Sequence, residues 1–438
     1  MYEFKPYLTN DGSIGLYNED FNDIYHSATG AITEAYEKFI LPVNFELLLS
    51  KPKINVLDIC YGIGYNSKCF LNYIFENFLK DKNFKSKQYY SAIYTNNISH
   101  VKNNLCSDTI HTDNLTNKYT NNERLYNIDS IYDNNICSNI SVTAIDNDKN
   151  LTFLSPFIKT DIKNFSNNKL EFKYERIEKY INEKNNKKSK LKINKLINFL
   201  IYQKIAQNYP EILENTDILS ILERKEYLPI FDDDIKGIYK LDKYKRCNKS
   251  QIEYKLPFLH NIYYSHISNK YKKGLKRYNL QDINFELKID DARNFIKNDK
   301  TIYNLIFLDA FSPSKCPCLW TLEFFQQLHK HLDKDGVILT YSTSAAIRNA
   351  MINAGLKIGY IYNKDKNFPI GTVAVKNSNL IKYHLSEYDL GLLKTRAGIF
   401  YRDENLTGLN EAIIERRNLE INNSNLMSSS KYNKLHRV

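Results

Sequence analysis

Short apolar runs and helical patterns alternate in two parts of the chain. Residues 55–70 read NVLDICYGIGYNSKCF, which predicts a buried strand, a turn containing Gly62 and Gly64, and the start of a helix. The two glycines lack the Cβ atoms that would keep a nucleotide-like ligand away from the amides at the helix N-terminus. Ser67 stands where the dinucleotide fingerprint has its third glycine. The pattern alone therefore fits a cofactor turn or an ordinary tight turn equally well.

The same alternation returns in the last third of the chain. It predicts strands over residues 284–289, 303–308 and 336–340, and helices over residues 319–332 and 345–354. Short apolar strands that alternate with helices are typical of a parallel sheet covered on both faces. The predicted fold class is therefore α/β and Rossmann-like, with a mostly parallel, doubly wound sheet.

The second strand of this sheet has two candidates. In a nucleotide-binding α/β unit this strand ends in a carboxylate that binds the ribose, usually about 20 residues after the glycines. Residues 92–94 lie nearer to that distance, but only residues 141–145 run into a carboxylate, Asp146. We favour the later run. This choice predicts one insertion at about residues 82–139, and the Lys- and Asn-rich pattern predicts a second, mainly helical one at about 165–255.

The remaining regions are predicted to flank the sheet domain, which would span residues 51–380. Residues 1–50 read as an extension with a turn near Asn10 and a helix over residues 31–40. Tyr25, His26, Ser27 and Gly30 would form a lip over the glycine turn, although a purely structural extension fits the spacing as well. Residues 381–438 are predicted to form a C-terminal tail.

Composition and charge add information about location and partners. No apolar run approaches the roughly 18 residues of a membrane helix, and the N-terminal residues lack a signal-peptide layout, so we expect a cytoplasmic protein. The seven cysteines include no C-x-x-C pair, which indicates free thiols and no metal site. The formal net charge of +11 favours a polyanionic partner, although the Asn-, Lys-, Ile- and Tyr-rich composition reflects A+T-rich codons in part.

Two basic segments are candidate RNA-binding surfaces. Residues 184–192 form a run rich in lysine, and residues 260–277 interleave aromatic rings with cations. A solvated helix edge explains either segment equally well or better.

Acidic residues follow three of the predicted strands. Asp146, Asp291 and Asp309 stand at strand ends, as does the turn with Gly62 and Gly64. The carboxyl ends of parallel strands share one edge of a sheet, and that edge binds the ligand in open α/β folds. We therefore expect these residues to surround one pocket.

These motifs, in this order, resemble those of class I S-adenosylmethionine-dependent methyltransferases. Residues 309–320, DAFSPSKCPCLW, are similar to the D-x-F-x-P-x-x-x-P-x-x-W block of MnmC-type tRNA methyltransferases, which complete 5-methylaminomethyl-2-thiouridine at the wobble position. Residues 23–30 (DIYHSATG), 340–348 and 394–426 also resemble that family, and the resemblance covers about half the chain. Cys60 and Tyr61 depart from the smaller residues or Phe expected before the first glycine.

The resemblance implies S-adenosyl-L-methionine as the cofactor. It assigns the ribose hydroxyls to Asp146, the adenine amino group to Asp291 and the vicinity of the methionine amino group to Asp58. The other implied cofactor-binding residues are Tyr25, Tyr61, Gly62, Gly64, Asn66, Ala292 and Asp309.

The resemblance also implies two catalytic residues, Asp309 and Phe311. The carboxylate of Asp309, with the carbonyl of Ala310 or Phe311, would accept hydrogen bonds from the acceptor amine and orient its lone pair toward the methyl group. Phe311 or Trp320 would stack on the flipped base, although core packing is the commoner role for a tryptophan such as Trp320.

The implied reaction converts the 5-aminomethyl group of wobble 2-thiouridine to 5-methylaminomethyl. The implied partner is the anticodon stem-loop of tRNA, and other wobble-uridine modification enzymes would supply the aminomethyl intermediate. No G-x-G-x-x-G segment follows residue 380, so we expect the FAD-dependent oxidoreductase half of the bifunctional family members to be absent.

Two other functions remain open. A polyamine aminopropyltransferase shares the fold, a D-A-R-like turn and an amine acceptor, but this chain has no G-G-G-D-G turn and a cationic substrate favours an acidic cleft. A non-catalytic RNA-binding protein on the same fold would account for the insertions and the divergent turn. Cofactor binding separates this last alternative from both enzymes.

Overall fold

The computed structural model describes residues 5–18, 23–24, 30–79, 136–160, 193–224, 231–248, 258–363 and 367–436. Three short strands near the start, β1 (Lys5–Leu8), β2 (Ile14–Asn18) and β3 (Asp23–Ile24), form an antiparallel sheet. The main sheet has seven strands: β4 (Ile54–Ile59), β5 (Ile140–Asp146), β6 (Asn284–Ile289), β7 (Tyr303–Leu308), β8 (Leu332–Thr340), β9 (Lys357–Asn363) and β10 (Phe368–Val375).

The strand order of the main sheet is β6-β5-β4-β7-β8-β10-β9. The first five strands in this order are parallel, and β10 runs antiparallel to both of its neighbours. A mixed sheet with one antiparallel strand inserted near an edge is common among α/β folds. The predicted fold class is confirmed.

Helices cover both faces of this sheet. They are α1 (Ala31–Ala35), α2 (Phe45–Leu49), α3 (Tyr65–Ile74), α4 (Lys149–Leu154), α5 (Ile193–Asn208), α6 (Thr216–Glu223), α7 (Asp233–Asn248), α8 (Phe258–Arg277), α9 (Ala292–Asn298), α10 (Leu322–His331), α11 (Ala345–Asn353), α12 (Glu387–Leu392), α13 (Asn410–Asn423) and α14 (Ser429–His436). A wide π-helical turn over Tyr36–Ile40 continues α1, which agrees with the helix predicted over residues 31–40.

Strand β7 shows how the apolar pattern builds two cores. All six of its side chains are buried. Leu305 and Phe307 belong to the core on one face, where Phe307 contacts Phe39 and Phe70, whereas Ile306 and Leu308 belong to the core on the other face, which includes residues of α10 and α11. A strand covered on both faces has apolar residues at every position rather than at alternate ones.

The second strand of the sheet is the later candidate. Ile140–Asp146 pairs in parallel with β4, with Val56 opposite Val142. The earlier candidate, residues 92–94, and most of the first insertion lie outside the described residues, as does the basic run 184–192. The described part of the second insertion contains α5, α6 and α7, which agrees with the predicted helical character.

The predicted turn near Asn10 connects β1 and β2. Asp11 organises it, because its Oδ1 accepts hydrogen bonds from Thr9 Oγ1 (2.8 Å) and the Ser13 amide (2.9 Å) and its Oδ2 accepts one from the Thr33 amide (2.8 Å). The Tyr65 hydroxyl donates to the Ile14 carbonyl at 3.1 Å and ties this extension to α3. Tyr25, His26 and Ser27 lie outside the described residues, so the predicted lip stays a prediction.

Two element starts differ from the predictions. Helix α10 begins at Leu322 rather than at residue 319, because the Thr321 side chain accepts a hydrogen bond from the Phe324 amide (3.2 Å) and caps it. Strand β8 begins at Leu332 rather than at residue 336. The predicted domain boundaries at residues 50 and 380 stay predictions, but the tail packs on α10, where Arg402 Nε donates to Glu323 Oε1 (2.6 Å).

Replacing Phe307 with alanine tests the first of the two cores. Its ring is fully buried and lies in edge contact with Phe39 (centroids 5.8 Å apart) and Phe70 (6.1 Å). Loss of the ring and the cavity left behind are expected to lower the free energy of unfolding by about 3–5 kcal/mol in urea titrations. Ile302, which is 47% exposed, is the control, and I302A is expected to change it by less than about 0.5 kcal/mol. Equal effects of the two substitutions would contradict this assignment of the core.

Candidate active site

The turn after β4 adopts left-handed backbone conformations at three positions. They are Cys60 (φ 62°), Gly62 (φ 55°) and Gly64 (φ 80°). Tyr61 braces the turn, since its hydroxyl donates to Ser155 Oγ (2.8 Å), which donates to the Ile63 carbonyl (2.8 Å). A Cβ atom on Gly64 would lie 2.3 Å from the Tyr61 ring. The unexpected tyrosine therefore supports the turn from behind, and its role in cofactor binding stays a prediction.

Asp146 lies directly against this turn. Its Oδ2 accepts a hydrogen bond from the Gly62 amide (2.8 Å) and its Oδ1 accepts one from the Asp148 amide (2.9 Å). Burial raises the pKa of Asp146 to about 6, although these amides oppose the shift. The structure thus joins the predicted second-strand carboxylate to the glycine turn across the first insertion.

Asp309 follows β7 on the other side of the turn. Asn66, in the first turn of α3, donates from Nδ2 to Asp309 Oδ2 at 2.9 Å. Burial, followed by the negative charge of Glu34, raises the pKa of Asp309 to about 7, while Asn66 and Lys38 act in the opposite direction. A carboxyl group with a pKa near neutrality is suited to exchange a proton with an amine.

Asp58 is fully buried beneath these two carboxyl groups. Its Oδ2 accepts hydrogen bonds from Ser67 Oγ (2.6 Å) and the Ser67 amide (3.1 Å), whereas its Oδ1 has no hydrogen-bond partner among the described residues. Burial raises the pKa of Asp58 to about 8, and the charges of Asp309 and Asp146 add to the effect. An unsatisfied buried carboxyl oxygen among other acids fits a cationic ligand such as the ammonium and sulfonium groups of S-adenosyl-L-methionine.

Asp291 lies at the neighbouring strand end, but its carboxyl group is already engaged. It caps α9 through the Arg293 amide (2.8 Å) and forms an ion pair with Arg293 Nη2 (2.7 Å). Burial acts to raise the pKa of Asp291, but the hydrogen bonds and charge of Arg293 outweigh it and lower the pKa. Ala292 is the first residue of α9. The adenine contacts assigned to Asp291 and Ala292 stay predictions.

A cleft beside Asp309 was missed by the sequence analysis. Its volume is about 290 Å³, and it is lined by Thr33, Glu34, Glu37, Lys38, Tyr341, Thr343, Phe368, Pro369 and Ile370. The Tyr341 hydroxyl donates to the Ala310 carbonyl at 2.9 Å, which joins the cleft to the loop after β7. Glu34 and Lys38 form an ion pair one helical turn apart, and Lys38 Nζ lies 5.4 Å from the Tyr341 ring centroid. In the sequence this spacing looks like an ordinary helix pair.

The two aromatic residues of the loop after β7 have different environments. Trp320 is completely buried, and its Nε1 donates to the Phe311 carbonyl at 2.9 Å. Of the two roles considered for Trp320, stacking on a base and core packing, its burial supports core packing. Phe311 is partly exposed, and its stacking on a base stays a prediction.

The described part of the chain shows neither a candidate metal site nor a candidate membrane span. Within it, no group of three or more His, Cys, Asp or Glu side chains is arranged to hold a metal ion. In the same part of the chain, no helix combines the length and apolar character needed to cross a bilayer. The cytoplasmic location stays a prediction.

An α/β sheet with a glycine turn and carboxyl groups at adjoining strand ends is typical of Rossmann-like proteins that bind nucleotide-type ligands. Comparison with known proteins identifies the type. Residues 257–368 match the family model described as S-adenosyl-L-methionine-dependent methyltransferase. This part of the chain is therefore similar to the methyltransferases of that family, whose cofactor is S-adenosyl-L-methionine.

Several relatives share parts of the sequence. An uncharacterized protein of Methanocaldococcus jannaschii is 35% identical over 136 residues, which is 31% of this chain and 38% of that protein. The tRNA 5-methylaminomethyl-2-thiouridine biosynthesis bifunctional protein MnmC of Burkholderia thailandensis is 30% identical over 86 residues, or 20% of this chain and 12% of its own. The MnmC protein of Burkholderia pseudomallei is 31% identical over 97 residues, which is 22% of this chain and 14% of that protein.

These matches confirm the predicted resemblance to an MnmC-type methyltransferase domain. The chain spans less than two fifths of the length of each of these three relatives. A solved structure, MnmC2 from Aquifex aeolicus, aligns over 97% of this chain and 87% of its own with a TM-score of 0.49 and 16% identity.

Asp146→Asn tests the junction between the glycine turn and the second strand. The carboxylate accepts two amide hydrogen bonds on separate oxygens, whereas an asparagine offers one acceptor oxygen and turns an N–H group toward the other amide. The affinity for S-adenosylhomocysteine, measured by titration calorimetry, is expected to fall at least about tenfold. Asp233→Asn, on an exposed side chain of α7, is expected to leave it unchanged. A folded D146N protein with the affinity of the parent would refute the assignment.

Asp58→Asn tests the buried acid through pH. Between its unfolded pKa near 4 and its folded pKa of about 8, the folded chain keeps a proton that the unfolded chain has lost. The ligand-free protein therefore loses stability as pH rises through this window, by up to about 1.4 kcal/mol per pH unit. Urea titrations from about pH 5 to about pH 8 should show a shallower decline for D58N, and D233N should follow the parent. Parallel curves for the parent and D58N would show that Asp58 is ionised throughout.

Proposed function

We propose that this protein transfers a methyl group from S-adenosyl-L-methionine to the 5-aminomethyl group of wobble 2-thiouridine in tRNA. The observation that carries the proposal is the position of Asp309, which accepts a hydrogen bond from Asn66 beside the glycine turn. The next residue, Ala310, accepts a hydrogen bond from Tyr341 of the cleft, and the charge of the cleft residue Glu34 acts on Asp309. Asp309 lies within the matched residues 257–368. The names of the two Burkholderia relatives support the choice of tRNA and of this nucleoside.

Asp309 is the best-placed group to receive the acceptor amine. When bound, S-adenosyl-L-methionine supplies an electrophilic methyl group. The carbonyls of Ala310 and Phe311 each already accept one hydrogen bond, from Tyr341 and Trp320 respectively. The Asp309 carboxylate, with its pKa of about 7, accepts N–H bonds from the amine and takes up the proton released on methylation. Asn66 holds this carboxylate in position.

The cleft beside Asp309 supports an aromatic acceptor that carries an amine. Tyr341 and Phe368 offer ring faces on which a nucleobase stacks, and Phe368 is 46% exposed. Glu34, whose charge is felt at Asp309, attracts the amine as a cation before it is deprotonated. Lys38 neutralises part of this charge, so that the cleft accepts a base as well as an amine.

Helix α8 supports a polyanionic partner. Ile267, Tyr271 and Leu275 are buried on one side of the helix. The other side exposes the cations Lys270, Lys272, Lys273, Lys276 and Arg277. A row of exposed cations on a helix anchored by its apolar side is a phosphate-binding surface, and it agrees with the net charge of +11.

The decisive test is incubation with S-adenosyl-L-methionine and tRNA that carries 5-aminomethyl-2-thiouridine, followed by mass analysis of the nucleosides. We expect a gain of one methyl group on this nucleoside, and a rate at least about 100-fold lower for Asp309→Ala because the amine loses its acceptor. The rate of the parent should rise with pH through about pH 7 as Asp309 ionises, and D309N should lose that rise.

Asp233→Asn is the control and should retain the full rate, since its side chain is 73% exposed on α7. Two parallel reactions with putrescine, one with S-adenosyl-L-methionine and one with its decarboxylated form, test the aminopropyltransferase alternative. Unchanged tRNA together with an extended polyamine would overturn the proposal. Absence of both cofactor binding and product would favour the non-catalytic alternative.

A further inference from the structure

Three cysteines from two distant segments of the sequence lie at the same edge of the sheet. Cys60 belongs to the glycine turn, and Cys316 and Cys318 belong to the loop that also carries Asp309. All three are partly exposed and pack against the same core, and their charges would influence one another. Cys69, by contrast, is buried in α3. The methyltransfer proposed above uses none of these thiols.

Cys316 and Cys318 are close enough to react with each other. Their sulfur atoms lie 3.5 Å apart, on either side of Pro317. A disulfide has an S–S distance near 2.05 Å, so the two atoms need to approach by about 1.5 Å, which rotation about side-chain bonds can supply.

The surroundings distinguish the two thiols. The hydrogen bond shared with Cys316 lowers the pKa of the Cys318 thiol, and Arg293 assists, while burial and the charges of Asp291 and Asp403 act in the opposite direction. The same hydrogen bond, together with burial, raises the pKa of Cys316. The reactive species of a cysteine is its thiolate, so Cys318 is the nucleophile of the pair and Cys316 the resolving thiol.

We propose that Cys316 and Cys318 are a thiol modification site that low-molecular-weight disulfides, such as glutathione disulfide, oxidise to an internal disulfide. The Cys318 thiolate attacks one sulfur of glutathione disulfide, forms a mixed disulfide and releases one glutathione thiolate. Cys316 loses its proton to solvent and attacks Cys318 Sγ, which releases the second glutathione thiolate and closes the ring. Two protein thiols are oxidised and one glutathione disulfide is reduced to two glutathiones. The site goes beyond the proposed methyltransfer and does not depend on it.

The chain offers a clean readout for this chemistry. Cleavage by trypsin after Lys315 and Lys330 gives a peptide, residues 316–330, whose only cysteines are Cys316 and Cys318. Residues 69–80 form a second peptide whose only cysteine is Cys69. The full-length reduced protein is incubated with glutathione disulfide near pH 7, its remaining thiols are alkylated under denaturing conditions, and both peptides are weighed.

We expect the peptide of residues 316–330 to become two hydrogens lighter and the Cys69 peptide to be fully alkylated. C316S should retain glutathione on Cys318, and C318S should react at least about tenfold more slowly. The folded protein should react at least about tenfold faster than the synthetic peptide of residues 316–330, because the fold supplies Arg293. A rate equal to that of the peptide, a lasting glutathione adduct on the parent protein, or a disulfide from Cys60 to either partner would overturn the proposal.

Discussion

The two-sided parallel pairing of β4 is the constraint on which the site depends. Ile59 lies opposite Ile145 of β5 and Leu308 of β7, so three strands end at one level. Whatever follows each strand is then forced into the same small volume, whether the chain between them is short or long. Asp146 is the last residue of β5, Asp309 directly follows β7, and Asp58 lies on β4. Burial raises the pKa values of all three, and at Asp58 the charges of Asp309 and Asp146 add to the effect.

Strand ends were predictable from the sequence because burial on both faces makes a strand apolar at every position. Asp146 was found despite the long insertion, since a carboxylate at a strand end is a stronger signal than distance along the chain. Cleft residues such as Glu34 and Lys38 were not found, because a helical ion pair looks the same whether or not a loop packs beside it. The cysteine cluster was also not predicted, because Cys60 and Cys316 are far apart in the sequence and only the pairing of β4 with β7 brings their loops together.

The D-A-R turn shows a second limit of sequence reasoning. The positions of Asp291 and Ala292 at the end of β6 were predicted correctly. What was not predicted is that the Arg293 side chain folds back onto Asp291 and donates hydrogen bonds to its carboxyl group from both Nε and Nη2. A motif specifies which residue types stand at a strand end, but the partners of a carboxylate are decided by side chains from other elements. Tyr61 gives the same lesson, because its departure from the expected residue is explained only by Ser155.

The guanidinium of Arg293 connects the sheet edge with the tail. It contacts Asp291 on one side and, on the other, both Asp403 (2.9 Å) and the carbonyl of Gly408 (2.8 Å). Attachment of the tail and the geometry of this edge thus share one cation, and thermodynamic linkage makes their free energies interdependent in both directions. Ligand binding at this edge should therefore strengthen the attachment of the C-terminal segment. The stability of that attachment would then differ between the free and the ligand-bound protein.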